Sequence, residues 1–145
     1  MPLPQPELGL VVHYGFVWAG ADRRPPPDAG KDRPCLIVDL FEVEEPPGRN
    51  TLRVTYLPFS RSAPRDGESA KLIGPRIASH LKLTTERSFL YTSYACEDDW
   101  PFDLAQLPGH QGRFHYGLIP PALFNAVVDD FRALLARRPG FIHKR

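Results

Sequence analysis

Apolar and polar residues alternate from Gly9 to Trp18. Leu10, Val12, Tyr14, Phe16 and Trp18 share one face of an extended chain, with Val11, His13, Gly15 and Val17 on the other. The pattern predicts a strand with apolar residues on both faces. Ala19 to Asp32 breaks it with Arg23, Arg24, three successive prolines and Lys31, the composition of a long exposed loop. Cys35 to Phe41 is nearly all apolar, as in a central strand. An acidic turn over Glu42 to Asn50 joins it to a third strand, Thr51 to Phe59, so the two form a hairpin.

The second half is less regular. Arg61 to Lys71 reads as a second basic loop, and Pro75 to Leu81 as one or two helical turns opened by the proline. Arg87 to Tyr94 reads as a strand, Ala95 to Gln111 as irregular chain, and Phe114 to Ile119 as a last strand. Pro120-Pro121 then opens a helix. Leu123, Phe124, Val127, Val128, Phe131, Leu134 and Leu135 form its apolar face, and Arg137-Arg138-Pro139-Gly140 close it. The expected fold is mainly β with an appended helix: a small, strongly bent barrel, with a small α+β sheet as the alternative.

Composition narrows the setting. The 145 residues favour a single domain over 1–145, with 1–8 as a flexible tail. Seventeen prolines argue for short strands and stiff loops over a helical bundle. The amino terminus has neither the basic start nor the apolar run of a signal peptide, and no apolar stretch approaches the ~20 residues that span a bilayer. Cys35 and Cys96 have no partners at zinc-site spacing, and Cys35 falls in a predicted core strand. A cytoplasmic protein without metal or cofactor is expected. The net charge of +1 places any case for a polyanionic partner on local clustering.

Such clustering occurs at strand ends. Arg33 stands just before the buried second strand and Ser60 ends the third, so a guanidinium fork and a hydroxyl can meet one phosphate at the sheet rim. Arg23, Arg24, Lys31, Arg61 and Arg65 can widen the cationic surface if the two basic loops meet. The plainer alternative pairs Arg33 with Asp32 or another carboxylate and leaves both loops solvated. Of five histidines, His13 and His80 fall where a sheet edge is expected. Asp98-Asp99 reads as a polar turn, since neighbours in an extended segment point opposite ways. Trp18, Tyr94 and Trp100 are able to stack on bases, although alternation puts Trp18 in the core. Glycine-rich phosphate loops, Gly-x-Ser-x-Gly and His-Glu-x-x-His are all absent from the sequence.

The order of elements resembles the PemK/MazF family of toxins from type II toxin–antitoxin systems. The resemblance rests on Gly9-Leu10-Val11-Val12, on Phe16-Val17-Trp18 before a basic loop, on Arg33-Pro34-Cys35-Leu36-Ile37-Val38, and on Val54 to Pro58-Phe59-Ser60. It covers about a third of the chain. It implies an SH3-like barrel, usually a homodimer, and a metal-independent endoribonuclease that cuts single-stranded RNA and is neutralised by an antitoxin protein. Arg33 and Ser60 fall on the family's catalytic arginine and threonine. Arg23, Arg24 and Lys31 correspond to its first-loop basic residues. The chain departs from the pattern at Leu10, where the family has an acidic residue, and over Ser88 to Tyr94, which lacks the family's arginine and aspartate. The expected mechanism is attack by the substrate's own 2′-hydroxyl, with Arg33 stabilising the phosphorane, Ser60 holding a phosphate oxygen, and His13 or Asp32 as the base. The alternative is an inactive barrel that binds RNA or a protein partner.

Overall fold

A computed structural model describes residues 3–18, 32–44, 46–83 and 87–145. Its elements are β1 (Leu10–Tyr14), β2 (Arg33–Glu44), β3 (Asn50–Ser60), β4 (Ala70–Ile73), α1 (Pro75–His80), β5 (Ser88–Tyr91), β6 (Ala95–Asp99), β7 (His115–Leu118), α2 (Pro121–Arg137) and β8 (Ile142–Lys144). The strands form one sheet in the order β4-β5-β3-β2-β1-β7, with β6 on β3 and β8 on β6. Every pairing is antiparallel except β6 with β8. The chain is thus mainly β with a C-terminal helix. The sheet is not closed into a barrel, because β4 and β7 end the path without pairing to each other.

Strand β3 shapes the sheet. Along one edge it pairs with β2 from Asn50 to Pro58. Along the other edge it pairs with β6 over Arg53 to Tyr56, then with β5 at Phe59 and Ser60. Changing partners in mid-strand carries the end of β3, and with it Ser60, away from β6 and toward β5. The β2–β3 register also slips between Ile37 and Asp39, a bulge that increases local twist.

Two apolar clusters cover the two faces. Leu10, Val12, Tyr14, Cys35, Ile37, Tyr56 and Cys96 belong to one. Val11, Leu36, Leu57, Phe59, Leu90, Val127 and Phe131 belong to the other, where α2 supplies the covering layer. This explains the two apolar faces of β1: all five of its residues are buried, because the strand runs between β2 and β7 with both faces covered. Gly9 has a φ of +88°, the left-handed region that favours glycine, while a Cβ there would make only ordinary contact with Phe124 of α2 at 3.6 Å.

Three strands depart from the sequence expectation. Ala70–Ile73 lies at the end of what reads as a basic loop, and Ile142–Lys144 follows the terminal helix. Strand β6 (Ala-Cys-Glu-Asp-Asp) takes the first five residues of the segment expected to be irregular, including the polar turn expected at Asp98-Asp99. Acidic residues disfavour strands, but tertiary partners offset that preference here. Tyr14 donates to Asp98 at 2.7 Å, and Arg53 reaches Glu97 at 3.0 Å and Asp99 at 2.6 Å. Asp98 and its neighbours do point opposite ways, each toward its own donors. Among the described residues no helix is long and apolar enough to cross a membrane.

Candidate functional site

A cleft of about 350 Å³ opens where the starts of β2 and β5 meet the end of β3. His13 reaches it from β1, Arg33 from β2, Ser60 and Arg61 from the end of β3, and Tyr116 from β7. Asp32 precedes β2 and Ser88 begins β5. The remaining walls come from the turn after α1 (Leu81, Lys82, Leu83) and the loop at Leu107, Pro108, His110 and Arg113. Five predicted residues therefore converge: His13, Asp32, Arg33, Ser60 and Arg61. Among the described lining residues, Arg33, Arg61, Lys82 and Arg113 are cationic and Asp32 is the one carboxylate. A nearly neutral chain thus concentrates positive charge at one concave place.

Arg33 is buried at 4% exposure. Its guanidinium lies 5.0 Å from the centre of the Trp18 ring, and its Nη1 donates to the Phe59 carbonyl at 3.3 Å. Stacking and the carbonyl bond hold the fork at the cleft wall. Trp18 in turn makes edge contacts with Phe16, Tyr91 and Tyr94. It is half-buried against the core, as expected, and also serves as the platform for Arg33. Ser60 Oγ accepts the Ser62 N–H at 3.1 Å, a local turn that orients the hydroxyl.

His13 is also buried. Its backbone is pinned by bonds to the Phe114 carbonyl (2.9 Å) and from the Ala105 N–H (2.8 Å). Its Nδ1 lies 2.8 Å from the Tyr116 hydroxyl. Burial pushes the imidazole pKa below its ordinary value; Asp32 opposes that shift and Arg33 adds to it. Burial also raises the Tyr116 phenol, which therefore remains protonated. His13 is thus a neutral imidazole held by a phenol. When Nδ1–H donates to Tyr116, Nε2 carries the lone pair. Asp32 packs beside Gly15, where an added Cβ would meet Oδ1 at 3.2 Å.

Other predicted residues lie elsewhere. Arg65 does not line the cleft. It joins Glu68 through Nη2 at 2.9 Å and Nε at 3.3 Å. Burial raises the Glu68 carboxyl, but hydrogen bonds from Arg65 and Tyr94 outweigh it and hold the group at about 2. His80 is exposed at the end of α1 and does not line the cleft. Arg23, Arg24 and Lys31 fall outside the described residues.

The structure adds residues that pattern reading missed. Gly109-His110-Gln111-Gly112-Arg113 is a glycine-flanked basic segment within what reads as irregular chain. Both glycines have positive φ, and the Leu107 N–H donates to the Arg113 carbonyl at 2.7 Å, closing the loop onto itself. The two glycines beside His and Arg were the available signal. Lys82 was hidden for a different reason. It is the positive-φ residue that ends α1, a position where glycine is usual.

Compared with models of known protein families, with curated proteins and with solved structures, the chain matches none.

Proposed function

We propose that the protein is an endoribonuclease that cleaves single-stranded RNA in this cleft through the substrate's 2′-hydroxyl. The observation that carries the proposal is the convergence of four cations and two imidazoles around one carboxylate in a cleft of small-ligand size. RNA brings its own nucleophile, so the protein must orient it, take its proton and stabilise charge on phosphorus. His13 takes the proton at Nε2. Arg33 offers its planar donors to the phosphorane, and Ser60 holds a non-bridging oxygen. Arg61, Lys82 and Arg113 hold the neighbouring phosphates. Asp32 sits beside His13 and limits the positive charge that would otherwise suppress proton transfer.

The resemblance to PemK/MazF toxins supports the same reading, and with it growth arrest on expression, a homodimer and an antitoxin partner. Strand β5 carries Ser88-Phe89-Leu90-Tyr91, without the family's arginine and aspartate. In this reading Arg113 and His110, which line the same cleft, provide the missing polar groups. The absence of those groups from β5 favours a second reading, an inactive fold that binds RNA; that reading requires salt-dependent binding and intact RNA.

The test is purified protein with a single-stranded RNA oligonucleotide in EDTA, beside the same oligonucleotide 2′-O-methylated throughout. Cleavage of the first only, leaving 2′,3′-cyclic phosphate ends, is expected. Arg33→Lys keeps the charge but loses the fork, and should lower kcat by about 10²-fold or more. Intact RNA with wild type, or full activity in Arg33→Lys, would sink the proposal.

A further inference from the structure

We propose that His110 is the general acid of the cleft, the proton donor to the 5′-oxygen that leaves when His13 activates the 2′-hydroxyl. This rests on the ribonuclease reading and assigns the half of the proton transfer that reading leaves open. The two imidazoles reach one cleft from different elements. His13 comes from β1, an inner strand between β2 and β7, and His110 from the tip of the 107–113 loop. Their environments differ in the direction that two opposite roles require. His13 is buried, and burial lowers its pKa, which suits a proton acceptor, whereas His110 lines the same cleft from an exposed position that bulk water can reach.

The loop that carries His110 is built as a fixed support. Its ends are joined by the Leu107 N–H to the Arg113 carbonyl at 2.7 Å, and Leu107 itself is buried. The His110 N–H donates to the Leu107 carbonyl at 3.0 Å, and the Arg113 N–H to the His110 carbonyl at 3.2 Å. From outside the turn, Gln106 Oε1 accepts the Gly112 N–H at 2.7 Å. Four hydrogen bonds within 106–113 therefore define the backbone path of this short segment. The charged groups lining the cleft with the imidazoles are Asp32, Arg33, Arg61, Lys82 and Arg113. Tyr116, which also lines the cleft, sits against His13 Nδ1.

The step balances without a further reactant. The 2′-oxygen forms a bond to phosphorus as its proton passes to His13 Nε2. The bond from phosphorus to the 5′-oxygen breaks as the His110 imidazolium gives that oxygen a proton. The products are a 2′,3′-cyclic phosphate and a free 5′-hydroxyl, and solvent exchange resets both rings.

A proton donor matters only when the leaving group is poor, and that separates chemistry from structure. His110→Ala and His110→Gln are compared with wild type on an RNA dinucleotide and on uridine 3′-(4-nitrophenyl phosphate), whose phenolate leaves without a proton. Expected for both variants is a loss in kcat/KM of about 10²-fold or more on RNA. On the aryl ester kcat/KM should stay within a few-fold of wild type. The alkaline limb of the pH–rate profile should disappear on RNA, and melting temperatures should be unchanged. Equal losses on the two substrates, or no loss on RNA, overturn the assignment of His110 while leaving the ribonuclease reading intact. Failure of the wild type to cleave either substrate overturns both.

Discussion

Replacing Lys82 with glycine should make the protein more stable and a weaker RNA binder. Lys82 has φ of 56°, the left-handed region, where a side chain costs about 1–2 kcal/mol. Its conformation is imposed by the way α1 ends. The Lys82 N–H donates to the Ser79 carbonyl at 3.1 Å, and the Leu83 N–H reaches back to the Ala78 carbonyl at 2.9 Å. These bonds satisfy the last carbonyls of the helix only if the intervening residue turns left-handed. Glycine removes the strain but adds about 0.5–1 kcal/mol of unfolded-state entropy. The net gain is therefore about 0.5–1 kcal/mol, or roughly 2–4 °C in Tm for a chain of this size.

Binding should move the other way. Lys82 is exposed and lines the cleft, so the side chain lost with its strain is one of four cations. For single-stranded RNA, losing one phosphate contact reduces the slope of log K against log salt by about 0.7. Thermal unfolding and a fluorescence-anisotropy salt series read the two effects independently. Lys82→Asn tolerates the same backbone without the charge and should reproduce the binding loss. A glycine variant that melts below wild type refutes the strain argument, and an unchanged salt slope refutes the contact.

Arg65→Ala should leave RNA affinity and its salt slope unchanged, because Arg65 is tied to Glu68 outside the cleft; anisotropy at low salt checks this. Tyr14→Phe should destabilise the fold by about 1.5–3 kcal/mol in urea unfolding, since it removes a 2.7 Å donor from the buried Asp98 carboxylate. The stacking of ring 14 on Tyr56, with centroids 4.0 Å apart, is kept by phenylalanine, so a near-zero effect would mean that the hydroxyl contributes little.

The sequence exposes those parts of fold and site whose signals are local. Alternation along Gly9 to Trp18 and the apolar run from Cys35 announce β1 and β2, and Arg33 and Ser60 can be placed because they stand at the ends of strongly patterned strands. Strand β6 is illegible because its acidic residues are stabilised by Arg53, Tyr14 and Arg145, which are remote in sequence. His110 and Arg113 are hidden for a related reason. Their loop has no periodicity, and only its closure onto itself beside β1 and β7 brings them to Arg33. Arg65 shows the converse: its sequence neighbourhood is basic, yet it pairs with Glu68, three residues on, and does not line the cleft.

Since His13 is both buried and a proton acceptor in the proposed reaction, one titration should set an acid limit on stability and on activity together. The unfolded chain takes up the His13 proton near pH 6.5, whereas the folded protein resists it, chiefly through burial. Between the lowered folded pKa and 6.5 the unfolded state binds more protons, so stability rises with pH across that window. The contribution is complete above 6.5 and is lost as pH falls toward the folded value, with a slope no steeper than about 1.4 kcal/mol per pH unit. His13→Asn removes this slope, and subtracting its stability curve from that of wild type cancels the other four histidines. The activity limb follows the folded value. The acid limb of kcat/KM on RNA should therefore lie below pH 6.5, on the acid side of free imidazole. A difference curve that is flat, or that falls as pH rises, would show that His13 is not held neutral by burial. An acid limb at or above 6.5 would move the role of base from His13 to another group.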